Sequence, residues 1–101
     1  MNILIQDLAA QLGSTFIVHT VKGMLRLTLV EVKERSRKGL PSNFSTPVSL
    51  VLAGPPDVQM IQDTYYLDHP VLGRMYWVVA PIATHAVPNT GGMPLYEVLL
   101  G

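Results

Sequence analysis

Thr64-Tyr65-Tyr66-Leu67-Asp68-His69-Pro70-Val71-Leu72-Gly73-Arg74-Met75-Tyr76-Trp77-Val78-Val79-Ala80-Pro81-Ile82 is the stretch whose reading decides the fold. Two runs rich in aromatic and β-branched residues flank Pro70-Val71-Leu72-Gly73, which has proline early and glycine late, as a tight turn requires. The reading is two strands, Thr64–His69 and Arg74–Ile82, joined as an antiparallel hairpin. Side chains alternate across a strand. Tyr65, Leu67 and His69 therefore share one face, and Tyr66 and Asp68 the other. Met75, Trp77 and Val79 face one way on the second arm. Each arm thus carries an aromatic on both faces. One face is core, and the other needs a cover or serves as a binding surface.

The same signals continue outward in both directions. Ser14–Val21 is rich in β-branched residues and reads as a strand. Lys22-Gly23 is a turn, and Met24–Arg35 is a second, longer strand. Leu25, Leu27 and Leu29 alternate with Arg26 and Thr28, and then the apolar phase slips to Val30 and Val32. A bulge near Leu29–Glu31 accounts for the slip. Pro47–Gly54 is a third strand, with Val48, Leu50 and Leu52 on one face, and Pro94–Leu100 closes the chain. Arg35–Pro47 and Ala83–Met93 hold the prolines, asparagines and paired glycines of long loops. Asp57–Asp63 is a connector.

The first thirteen residues have a different period. Leu4, Leu8 and Leu12 recur every four residues, so Met1–Gly13 reads as a short helix stopped by Gly13. About six strands, with turn signals every 8–12 residues and no helix between the later ones, predict a mostly β fold. The expected architecture is one domain over residues 1–101, a small antiparallel barrel or sandwich preceded by one short helix.

The chain has 101 residues, one domain by length. It contains no cysteine, which excludes disulfides, a thiolate metal site and a cysteine nucleophile. Seven basic and seven acidic residues cancel, and charged residues make up only 14%. A neutral, charge-poor surface associates readily. No apolar run approaches the length of a membrane span. Met1–Gly13 has no basic stretch and carries Asp7 within its apolar residues, so cytoplasmic synthesis without a signal peptide is expected.

The residues offer little to catalysis. His19, His69 and His85 show none of the close pairing common among zinc ligands. No phosphate loop, dinucleotide fingerprint or nucleophile motif is present. His69 follows Asp68, but strand neighbours point to opposite faces. No catalytic residue, metal or cofactor is expected, and the protein reads as no enzyme. Lys33, Arg35, Arg37 and Lys38 form a basic cluster, diluted by Glu31 and Glu34 and without interleaved aromatics. This speaks against nucleic acid and for a solvated strand end.

The second half resembles a family of small uncharacterised bacterial β proteins. The resemblance rests on Val48–Pro55, on Gln62-Asp63-Thr64-Tyr65-Tyr66-Leu67-Asp68-His69-Pro70-Val71-Leu72-Gly73, on Val78-Val79-Ala80-Pro81-Ile82 and on Tyr96-Glu97-Val98-Leu99-Leu100. It covers about half the chain. Val48, Ala53 and Gly101 depart from its pattern, making the sheet surface more apolar. The family brings no activity to transfer. What the resemblance implies is a structural or assembly role near phage-tail-like collar or tail-fibre proteins, and a place in an exported or virion-like particle.

The functional expectation is an interaction protein that self-assembles into a homo-oligomer or docks onto a fibre-type partner. The expected interface is Leu4, Leu8, Tyr66 and Tyr76. The alternative is a barrel that binds a small ligand or glycan at its mouth with Tyr65, His69 and Trp77.

Overall fold

Strand alternation resolves into a closed antiparallel barrel in the computed structural model, which describes residues 5–35 and 47–101. The elements are α1 (Ile5–Ala9), β1 (Thr15–Thr20), β2 (Gly23–Glu34), β3 (Val48–Ala53), β4 (Asp63–His69), β5 (Gly73–Ile82) and β6 (Leu95–Leu100). Around the barrel the order is β1-β2-β3-β6-β5-β4. Two three-stranded meanders, β1-β2-β3 and β4-β5-β6, join through β3 with β6 and β1 with β4. Barrel, not sandwich, is therefore the architecture. The β1–β4 seam is short: Ile17 pairs with Asp68, Val18 with Leu67 and His19 with Tyr66.

The expected bulge lies between Leu29 and Glu31, where the register against β3 shifts. It has a consequence that phase alone did not show. Val30 and Val32 do not share a face. Val32 joins the barrel interior, while Val30 packs on the outside with Val51, Ala53, Val87 and Leu95. The extra residue turns two neighbours outward before the strand resumes its alternation.

The interior is filled by Phe16, Val18, Leu27, Leu29, Leu50, Leu52, Leu67, Val79, Tyr96 and Val98, all almost fully buried. β3 is buried at every position. Val48, Leu50 and Leu52 face the interior, while Val51 and Ala53 lie under the 83–94 loop, which is anchored by Val87. One flank of the barrel thus has a lid of its own chain.

Connections close the two ends. At one end Met60, from the segment before β4, is buried in the core, and its amide donates to the Tyr96 hydroxyl at 2.9 Å. At the other, Leu8 of α1 is buried in the same core. Among the described residues the helix ends at Ala9, four residues before the stop expected at Gly13. After Ala9 the bonds tighten to i→i+3, from Gln11 to Leu8 and from Leu12 to Ala9. That tightening rotates Leu12 off the Leu8 stripe, and Leu12 is exposed. Gly13 ends the segment at φ 84, a left-handed conformation that glycine adopts freely.

Gly54 leaves β3 where the barrel is tightest. A Cβ there would lie 2.8 Å from Leu27 Cδ2 and 3.1 Å from Tyr96 Cε2. Both neighbours are buried, so room is scarce.

Two substitutions test this closure. Tyr96→Phe strands the buried Met60 amide and is expected to cost about 1–3 kcal/mol. Gly54→Ala overpacks the same end and is expected to cost about 1–3 kcal/mol. Urea unfolding monitored by Trp77 fluorescence reads both, as a lower midpoint at unchanged slope.

Candidate functional site

β4 separates its side chains cleanly at the β1–β4 seam. Leu67 and His69 point inward, while Tyr66 and Asp68 point outward. The seam and the β4–β5 hairpin then set outward residues of four strands side by side. Met24 of β2 pairs with His19 of β1, His19 with Tyr66 of β4, and Tyr66 with Tyr76 of β5. One step along the strands, Arg26, Ile17, Asp68 and Arg74 form a parallel row by the same pairings.

In the first row Met24, Tyr66 and Tyr76 are open to solvent, and His19 between them is half-buried. Met24 is 69% exposed, Tyr66 50% and Tyr76 61%. Val78, next outward on β5, and Val21, in the β1–β2 turn, extend the exposed apolar surface. The Tyr66 and Tyr76 rings lean together at 4.5 Å between centroids, and the Arg74 guanidinium lies over Tyr66 at 5.6 Å. Tyr66 is thereby held in place before anything binds, which lowers the ordering cost of a contact.

In the second row Asp68 and Arg74 bond each other, and Asp68 also reaches His19 of the first. Arg74 grips Asp68 with both arms, Nε to Oδ1 at 2.7 Å and Nη2 to Oδ2 at 2.9 Å. His19 Nε2 meets Asp68 Oδ2 at 2.5 Å. The guanidinium, and then the imidazole, hold the Asp68 carboxyl well below the usual carboxylate range. An ionised carboxylate only accepts, so His19 carries its proton on Nε2.

His69 points the other way and has a structural task. Its Nδ1 accepts from the amides of Val71 and Leu72 at 3.0 and 3.2 Å, capping the β4–β5 turn as an N-cap side chain caps a helix. That leaves the proton on Nε2, which donates to Ser14 Oγ at 2.8 Å. Ser14 gives its own proton to the Gln11 carbonyl at 2.5 Å. The polarity of this chain is opposite to what an activated serine needs, because the imidazole has no free lone pair for the hydroxyl proton. Burial depresses the His69 pKa.

The remaining expected site residues are accounted for individually. Leu8 is inside its own barrel, and Leu4 lies outside the described residues. Tyr65 is half-buried, and its hydroxyl donates to the Ile61 carbonyl at 2.7 Å. Burial, then the nearby Asp63, raises its pKa. Trp77 is half-buried, with Phe16 at 6.1 Å, and His69 lies 4.6 Å from the same ring. Tyr65, His69 and Trp77 thus surround a filled interior. Two open depressions of about 250 and 490 Å³ share Val87, Pro88, Asn89 and Thr90, on the loop side and away from those three residues. Lys33 and Arg35 are exposed, while Arg37 and Lys38 lie outside the described residues. Among the described residues no cluster of three metal-ligating side chains occurs.

A family model matches residues 3–100. The chain belongs to that family, a domain of unknown function, DUF6916. No curated protein and no solved structure matches the chain. Among the described residues no helix is long and apolar enough to cross a membrane. The family match covers nearly the whole barrel, both rows of the outer face included.

Sequence reading reached Tyr66 and Tyr76 through alternation within one hairpin. It did not bring in Met24, His19, Arg26 or Arg74. Met24, His19 and Arg26 come beside Tyr66 and Asp68 through the β1–β4 pairing, between segments about fifty positions apart, for which no local signal exists; Arg74 stands opposite Asp68 within the hairpin itself, six positions away, where alternation could have found it.

The His69 arrangement sets a pH dependence. Because its folded pKa lies below the unfolded value, the unfolded chain takes up the proton first. The stability it contributes is full above about pH 6.5 and is lost as pH falls through the depressed folded value. The unfolding midpoint of the wild type is expected to decline over that interval, and that of His69→Gln to be lower throughout and flat across it. Nitrogen-15 chemical shifts of the ring are expected to show the Nε2–H tautomer at neutral pH.

Proposed function

We propose that this protein is a non-enzymatic interaction module that associates with further copies of itself through the outer face of β1, β4 and β5. The observation that carries the proposal is the row Met24, His19, Tyr66 and Tyr76, bare on this flank while the 83–94 loop covers another. Tyrosines and methionine are interface residues by composition, and the rings are already held. The charge count of the chain favours the same reading, since neutral, charge-poor surfaces repel their own copies least.

A small-ligand or glycan site at Tyr65, His69 and Trp77 draws no comparable support, because those side chains are engaged within the fold: His69 and Trp77 lie against Phe16, His69 holds the turn amides, and the Tyr65 hydroxyl donates to the Ile61 carbonyl. The seam cluster supports a non-catalytic role too. Asp68 is engaged by the Arg74 guanidinium and the His19 imidazole. A tail-fibre-type partner is the finer form of the proposal, motivated by the resemblance of the second half, and it would use the same face.

Light scattering coupled to size exclusion tests this directly. The wild type is expected at a multiple of the monomer mass, and Tyr66→Lys with Tyr76→Lys at the monomer mass, folded but with a lower unfolding temperature, because the cross-strand ring pair is replaced by two like charges. A wild type that stays monomeric at every attainable concentration would overturn self-association and leave the fibre-type partner as the occupant to be sought.

A further inference from the structure

We infer that the self-contact is head-to-tail: the aromatic face of one copy receives the acidic, apolar connector around Asp57–Asp63 of the next. The inference rests on the self-association proposed above and names the partner surface. It begins from charge. The face and its rim carry Lys22, Arg26 and Arg74 against one carboxylate, Asp68. The whole chain has seven of each sign, so the rest of it is acidic by the same excess. Two such faces stacked on each other would bring like charges together as water leaves, which is costly. A surface of opposite sign on the same molecule removes that cost.

Such a surface lies between β3 and β4. Residues 54–63 read Gly-Pro-Pro-Asp-Val-Gln-Met-Ile-Gln-Asp, with two carboxylates and no basic residue. Met60 is buried in the barrel end and anchors the segment, while Ile61 is 73% exposed and Val58 37%. Tyr65 fixes the Ile61 carbonyl, and the Asp63 carboxylate bonds only the next amide, at 2.8 Å. Among the described residues neither Asp57 nor Asp63 has an ion pair, and neither has Lys22 or Arg26. The molecule therefore presents two held surfaces of matching character. One is aromatic with unpaired cations, and the other is aliphatic with unpaired carboxylates.

The connector caps one end of the barrel and the aromatic row lies on its flank. A single contact between them uses different patches on the two partners and leaves one face and one connector free at its ends. It repeats, giving a ring where the rotation closes and a filament where it does not.

The test mixes two variants, each with one surface disabled. Tyr66→Lys/Tyr76→Lys keeps the connector, and Asp57→Lys/Ile61→Lys keeps the face; all four positions are exposed. Each alone is expected at the monomer mass. Mixed in equal amounts they are expected at twice that mass and no higher, because one intact face meets one intact connector. The wild type, which needs no substitution, is expected to lose assembly as salt rises. Connector variants that assemble like the wild type would overturn the head-to-tail contact while leaving self-association through the face standing. A wild type that is monomeric at low salt would overturn both.

Discussion

Three residue pairs between β1 and β4 turn a sheet into a barrel, and the molecule ties that short seam from both sides. Val18 and Leu67 meet in the interior, where both are fully buried. Outside, Asp68 takes a bond from His19 and two from Arg74. At the end of the barrel, His69 reaches from β4 to Ser14, just before β1. Adjacent residues on β4 thus do opposite jobs because a strand sends them to opposite faces. The polar ties supply direction and register where the ladder is too short to supply much of either, and the buried pair supplies the gain in burial.

The seam also decides what the surface offers. By setting β1 beside β4 it makes one row of Met24, His19, Tyr66 and Tyr76 out of four strands. Alternation sends about as many side chains to the outer wall as to the inner one, and apolar residues appear on both. Around β3 the chain covers the outer wall with its own loop, through Val87. Around β4 and β5 it does not. The helix that could have served as a second cover is instead a plug, with Leu8 inside the barrel. The contrast between a covered and a bare flank, within one family fold, is the physical content of the functional reading.

Legibility of the elements followed from local signals. Strand positions, the hairpin at Pro70–Gly73 and the bulge after Leu29 each rest on residues adjacent in sequence, and each is present. The helix was legible in kind and not in length, because Gln11 and Leu12 bond three residues back and the four-residue stripe breaks there. Alternation placed His69 on the face of Leu67, yet its partner Ser14 was not legible, since the bond spans 55 positions.

By itself the sequence determined the mostly β class, the order and approximate bounds of the strands, and the faces on which Tyr66 and Tyr76 stand, because period, turn chemistry and alternation act between near neighbours. Closure into a barrel, the partition of Val30 and Val32 between outer and inner walls, the wiring of His19 to Asp68, and the choice of which flank to cover were decided only by the tertiary structure. Those features depend on pairing between distant segments. Such pairing is selected by the burial and bonding of the whole chain at once, and no window of local sequence contains it.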